Sequence, residues 1–245
     1  MERMKCIVAY DGTNFAGFQI QPNVRTIQGE IEKVLAKMHR QEVRIHASGR
    51  TDGKVHAVGQ VFHFDSNIHM QKDQWKRALN SMLPEDIVIS SVEFVSTEFH
   101  ARFSATAKEY HYKVSLKKDK DPFMRNYAYH FPYSLDLLAM NEAIGYLLGE
   151  HDFSSFCSAK TSVTDHIRTI YHIDLQEQNG ELIFQIKGNG FLYNMVRIIV
   201  GTVLEVGIGA RKAEEIPIII AKKDRAFAGK TAPGHGLYLM KVDYY

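Results

Sequence analysis

The nine residues GRTDGKVHA, Gly49 to Ala57, set one carboxylate, Asp52, in a glycine-bounded turn beside Arg50, Lys54 and His56. Opposite charge nearby favours the ionised carboxylate, and an ionised Asp acts as nucleophile or base rather than acid. The plain alternative is a Thr-Asp-Gly turn whose Asp bonds its own backbone. Arg197 is the only cation in FLYNMVRIIVGTV, a stretch that reads as a helix buried on most sides. A buried guanidinium needs an anionic partner because leaving it unpaired is costly. Asp52 would serve, as would another acid or escape of the side chain to the surface. Tyr110 is either a core residue like Tyr112 or a surface on which a displaced base can stack. The loop YDGTNFAGFQ suits close backbone approach. GNGF, at Gly188 to Phe191, opens the buried helix and could hold a phosphate or be only a turn.

Periodicity supplies the elements that must position these groups. The first half reads as strand Lys5 to Tyr10, helix Ile27 to Met38, strand Val43 to Ala47, the Asp52 turn, strand Val58 to Asp65, helix Lys72 to Met82 and strand IVISSVEFV. Leu83-Pro84-Glu85-Asp86 ends the second helix. From Ala105 to Leu116 the chain alternates, with Tyr110, Tyr112, Val114 and Leu116 on one face, as a half-buried strand does. The second half then reads as helix Asp136 to Leu148, strands Ile167 to Gln176 and Glu181 to Lys187 around an Asn179-Gly180 hairpin, the buried helix Phe191 to Val206, helix Ala213 to Ala221 and strand Leu237 to Tyr245. Two halves of similar order predict an α+β protein of two related helix-and-strand domains with mostly antiparallel sheets. The boundary is placed near Phe103, giving domains 1–103 and 104–245.

With 245 residues the chain can bury a full core, and a formal charge of +2 is too small to mark a nucleic-acid binder by itself. The basic clusters Lys117, Lys118 and Lys120, Arg211 and Lys212, and Lys222, Lys223 and Arg225 read first as solvated surface. Two cysteines, Cys6 and Cys157, form neither a CxxC pair nor a disulfide framework, which fits a reducing cytosol. No histidine stands in HExxH or zinc-finger spacing, so no structural metal is expected. The N-terminus lacks a signal-peptide pattern, and Phe191 to Val206 is short for a membrane span and carries charge. A soluble, cytoplasmic protein is expected.

Five segments in order, YDGTNFAGFQ, GRTDGKVHAVGQVFHF, KEYHYKV, GNGFLYNMVRIIVG and APGHGLYLMKVDY, resemble the tRNA pseudouridine synthase A family across essentially the whole chain. The resemblance implies the pseudouridine synthase fold, with its domains joined around a central active-site cleft. It also implies a homodimeric enzyme, needing no cofactor, that isomerises uridine at positions 38, 39 and 40 of the tRNA anticodon arm. By that resemblance Asp52 is the catalytic carboxylate, Tyr110 stacks on the target base and Arg197 pairs with Asp52. Arg50 then touches the RNA near the flipped nucleotide, and Leu237 supplies an apolar wall. One departure stands out: the family's usual RTDAGVHA is RTDGKVHA here, with Lys54 where glycine is usual. Two other classes fit less well. A noncatalytic RNA-binding protein would not need Asp52, Tyr110 and Arg197 together, and a glycoside- or nucleoside-cleaving hydrolase would ordinarily want a second carboxylate.

Overall fold

A computed structural model of the chain describes residues 1–158 and 163–245. The chain divides into two compact units: Met1–Thr106 together with Tyr238–Tyr245, and Ala107–Leu237.

In the first unit, β1 (Glu2–Tyr10) alternates strictly, burying Met4, Cys6, Val8 and Tyr10 on one face. It pairs antiparallel with β3 (His56–Ser66) on one side and with β4 (Ile87–Val95) on the other. β2 (His46–Ala47) joins β3 antiparallel through His46 and Ala47 opposite His63 and Phe62. This strand is shorter than the expected Val43 to Ala47. The Glu32 carboxylate accepts the Ile45 N–H at 3.0 Å, so that amide is spent on a helix side chain rather than on a ladder. Helix α2 (Lys72–Met82) packs on β4 and meets α1 (Ile27–His39), whose His39 Nε2 lies 2.6 Å from Ser66 Oγ of β3. Thr26 caps α1, its Oγ1 accepting the Gly29 N–H at 3.2 Å. Fully buried Trp75 of α2 stacks on His39 and meets Phe64 edge-on.

The second unit is built on β5 (Ala105–Ser115), which pairs antiparallel with β9 (Glu181–Gly188) and parallel with the short β6 (Tyr129–His130). β8 (Ile167–Gln178) continues the sheet beyond β9 through the Asn179-Gly180 turn, as the sequence predicts. β7 (Gly149–Asp152), a strand the periodicity did not suggest, closes that side. Helices α3 (Leu137–Gly145), α4 (Met195–Gly207) and α5 (Glu215–Lys222) complete the unit. α4 buries 10 of its 13 residues, in keeping with its continuous apolar sequence. It begins at Met195, later than expected. Asn194 just before it has a left-handed backbone, φ 63°, and GNGF lies upstream of the helix instead of opening it.

β10 (Leu237–Tyr244) lies parallel to β3, with Tyr238 and Leu239 opposite His56 and Ala57. The chain's last strand therefore groups with its first hundred residues. Among the described residues, no helix is long and apolar enough to cross a membrane.

Candidate active site

The turn that carries Asp52 is held by the loop between β1 and α1. Gly17 forms an isolated antiparallel bridge with Asp52, and the Phe18 N–H donates to the Thr51 carbonyl at 3.0 Å. The Lys54 N–H donates to the Phe15 carbonyl at 3.3 Å, and within the turn the Val55 N–H donates to the Asp52 carbonyl at 3.2 Å. Side chains fix the same turn from beneath. The buried Tyr10 hydroxyl lies 2.8 Å from Thr51 Oγ1, and burial pushes its pKa up, so it stays a neutral phenol. His56, 2 % exposed, accepts the Gly12 N–H at Nδ1 (3.1 Å), and its ring stacks on Tyr238 with centroids 4.7 Å apart.

The supporting loop is itself anchored. The Arg25 guanidinium takes both Asp86 carboxylate oxygens, at 2.6 and 2.9 Å, and lies 4.1 Å from the Phe15 ring centroid. The Asp11 N–H reaches the Asp86 carbonyl at 3.0 Å. YDGTNFAGFQ thus acts as a brace for the Asp52 turn, a role its composition only hinted at. Gly12 shows why close approach is needed, since a Cβ there would run into the Val55 carbonyl. Gly12→Ala should therefore cost about 1–3 kcal/mol by overpacking, read by urea denaturation, and lower activity with it. Gly145→Ala is the control, because nothing lies within 4 Å of a Cβ at that helical position. Equal stability of the two variants would contradict the brace.

Asp52 is half-buried in this turn, with Arg50 exposed two residues before it. The other candidates belong to the second unit. Tyr110 lies half-exposed on β5, and its ring meets Phe191 edge-on with centroids 5.2 Å apart. Tyr112, two residues on, is fully buried and donates its hydroxyl to the Pro233 carbonyl at 2.7 Å. The two tyrosines share a strand face but not a fate: Tyr112 is core, whereas Tyr110 is only half-buried.

Arg197 is half-buried on the mostly buried α4. Its Nε donates to the Ala232 carbonyl at 2.7 Å and its Nη1 to Asn194 Oδ1 at 2.8 Å. Its own carbonyl accepts the Ala232 N–H at 3.0 Å. Arg197 and Tyr112 thus take the neighbouring carbonyls of Ala232 and Pro233, which ties APGHGL to both α4 and β5. Gly236 is required there because a Cβ would stand 2.7 Å from the Tyr112 ring. Leu237, 6 % exposed, ends this segment and starts β10.

A protein-family model described as tRNA pseudouridine synthase matches residues 6–104 and 143–245 of this chain. The chain belongs to that family. The matched segments contain Arg50, Asp52, Arg197 and Leu237, while Tyr110 falls between them. Curated relatives cover the intervening residues as well. The chain is 59% identical over 245 residues to tRNA pseudouridine synthase A 1 of Bacillus cereus, covering 100% of this chain and 99% of that one. It is 57% identical to tRNA pseudouridine synthase A of Anoxybacillus flavithermus over the same shares of both chains. With that of Geobacillus kaustophilus it shares 56% over 244 residues, 99% of this chain and 95% of the other. The pseudouridine synthase fold expected from the sequence is accordingly the fold of this α+β chain with its mostly antiparallel strand pairing.

Proposed function

We propose that the protein isomerises uridine to pseudouridine at positions 38, 39 and 40 in the anticodon stem-loop of tRNA. The observation that carries this reading is likeness along the whole chain to proteins named tRNA pseudouridine synthase A. The reaction breaks the bond between uracil N1 and ribose C1′, rotates the base and joins C1′ to C5. C5 gives up its proton and N1 gains one, so the change is redox-neutral and asks for no cofactor.

Asp52 is the catalytic carboxylate of this reading. It attacks C1′, attacks the base or removes a ribose proton, and each route needs it ionised and aimed. Arg197 is its pairing cation, favouring the charged form. Two guanidinium nitrogens held by Ala232 and Asn194 support that role, because a fixed planar fork loses little freedom on taking a carboxylate. Taking the target base out of its stack costs a few kcal/mol, part of which Tyr110 returns by stacking. Arg50 meets the RNA near the flipped nucleotide, and Leu237 walls the base. The protein works as a homodimer in the cytoplasm. The dimer follows from the resemblance of the five ordered segments, and two cysteines that form neither a CxxC pair nor a disulfide framework fit a reducing compartment.

The test incubates the protein with an unmodified anticodon stem-loop carrying uridines at the three positions and maps pseudouridine site by site. Conversion without release of uracil is expected. Free uracil in place of pseudouridine would turn the assignment to a hydrolase. Binding of the same RNA should weaken steadily as salt rises, since each phosphate contact releases counterions. A salt-insensitive complex would contradict recognition through the backbone.

A further inference from the structure

Lys54 stands in the Asp52 turn with φ 65°, the left-handed region that a residue bearing a Cβ avoids unless its surroundings hold it there. Glycine would occupy the position without strain. The surroundings do hold it, through its own N–H on the Phe15 carbonyl and the Val55 N–H on the Asp52 carbonyl. Strained backbone of this kind gathers at sites of function. The Lys54 side chain is exposed, and it has no ion-pair partner among the described residues; Arg50, on the other side of Asp52, is likewise exposed and without one. Two uncompensated cations therefore flank a half-buried carboxylate on one braced turn.

Lys54 lies two residues from Asp52, at most about 7 Å along the backbone, and its ammonium rides on a flexible four-carbon stem. A nucleotide whose C1′ sits at Asp52 carries phosphates on both sides of its ribose, within the sweep of such a side chain. We propose that Lys54 binds an RNA backbone phosphate adjacent to the target uridine, and that this contact is why a lysine occupies a backbone position made for glycine. The inference rests on the reading of the protein as a tRNA-uridine isomerase and adds to it a phosphodiester contact made by Lys54. Such a contact raises affinity without reading bases.

Binding of the fluorescent anticodon stem-loop is measured over a salt series for wild type, K54Q, K54G, K54R and K33Q. K54Q keeps the Cβ and removes the charge, K54G removes both, and K33Q removes an exposed lysine from α1. K54Q and K54G should bind about 3- to 10-fold more weakly at 0.1 M salt, with the slope of log affinity against log salt smaller by about one. K54R and K33Q should stay close to wild type. K54G should melt no lower than K54Q, because glycine relieves the left-handed strain. Wild-type affinity and slope in K54Q would overturn the phosphate contact, as would an equal loss in K33Q, which would signal only a diffuse surface field. A large drop in melting temperature for K54G with binding intact in K54Q would place Lys54 in the fold and overturn it too. Each of these failures, seen beside pseudouridine formation by the wild type, removes the Lys54 contact alone. A wild type that neither converts nor binds the RNA removes the functional reading and the contact together.

Discussion

Asp52→Ala should abolish pseudouridine formation, with turnover falling by at least about 10³-fold, while the variant still binds the anticodon stem-loop. Under the proposed function Asp52 contributes the reacting group, and its backbone makes no bond that alanine cannot make. Gly17 pairs with the Asp52 backbone, and the Val55 N–H bonds its carbonyl, so the turn should survive the change. Removing a negative charge beside a polyanion should leave affinity equal or slightly higher. Asp52→Asn should fail equally, because an amide of the same shape can neither attack nor take a proton. Site-resolved mapping of pseudouridine together with a binding isotherm measures both halves. Conversion by either variant would end the assignment of Asp52 as catalytic, and loss of binding in both would recast it as a structural residue.

Tyr110→Ala carries the second large effect. Stacking of a base on an aromatic ring is worth about 1–3 kcal/mol, corresponding to a loss of roughly 5- to 150-fold in turnover. The fold should tolerate the change, since Tyr110 is half-exposed and its edge-on partner Phe191 stays in place. Tyr110→Phe keeps the ring and should recover most of the loss. If phenylalanine fails as badly as alanine, the role moves from the ring to the hydroxyl; if alanine turns over like wild type, the stacking role is gone. Tyr112→Phe offers a contrast, because its hydroxyl holds the Pro233 carbonyl and its loss should appear in stability before chemistry.

Local pattern determined much of this molecule. The strand runs of β1 and β5, the apolar run of α4 and the Asn179-Gly180 turn were all legible, because each is governed by neighbours within a few residues. So, through resemblance of five ordered segments, was the family that the comparisons then showed. The errors fall where distant groups intervene. The strand predicted from Val43 is cut short because Glu32 takes the Ile45 amide, and the start of α4 moves past GNGF because Asn194 turns left-handed. Neither partner is visible from periodicity. The short β7 exists only by pairing with β8 and left no pattern to read.

The supports of the site were hidden for the same reason. YDGTNFAGFQ looked like a loose glycine-aromatic loop, yet its glycine at position 12 and its bridge from Gly17 shape the Asp52 turn. The tyrosines of EYHY were equivalent by alternation until Pro233 claimed one hydroxyl and Phe191 met the other ring edge-on. The sequence by itself determined most of the elements and the family, and it singled out Asp52 as the carboxylate to test. Only the tertiary structure decided that the last strand returns to pair with β3, that His56 stacks on Tyr238, and that Lys54 occupies a left-handed backbone. Pattern within one segment records which face is apolar; it holds no record of which distant backbone will arrive to take a hydrogen bond.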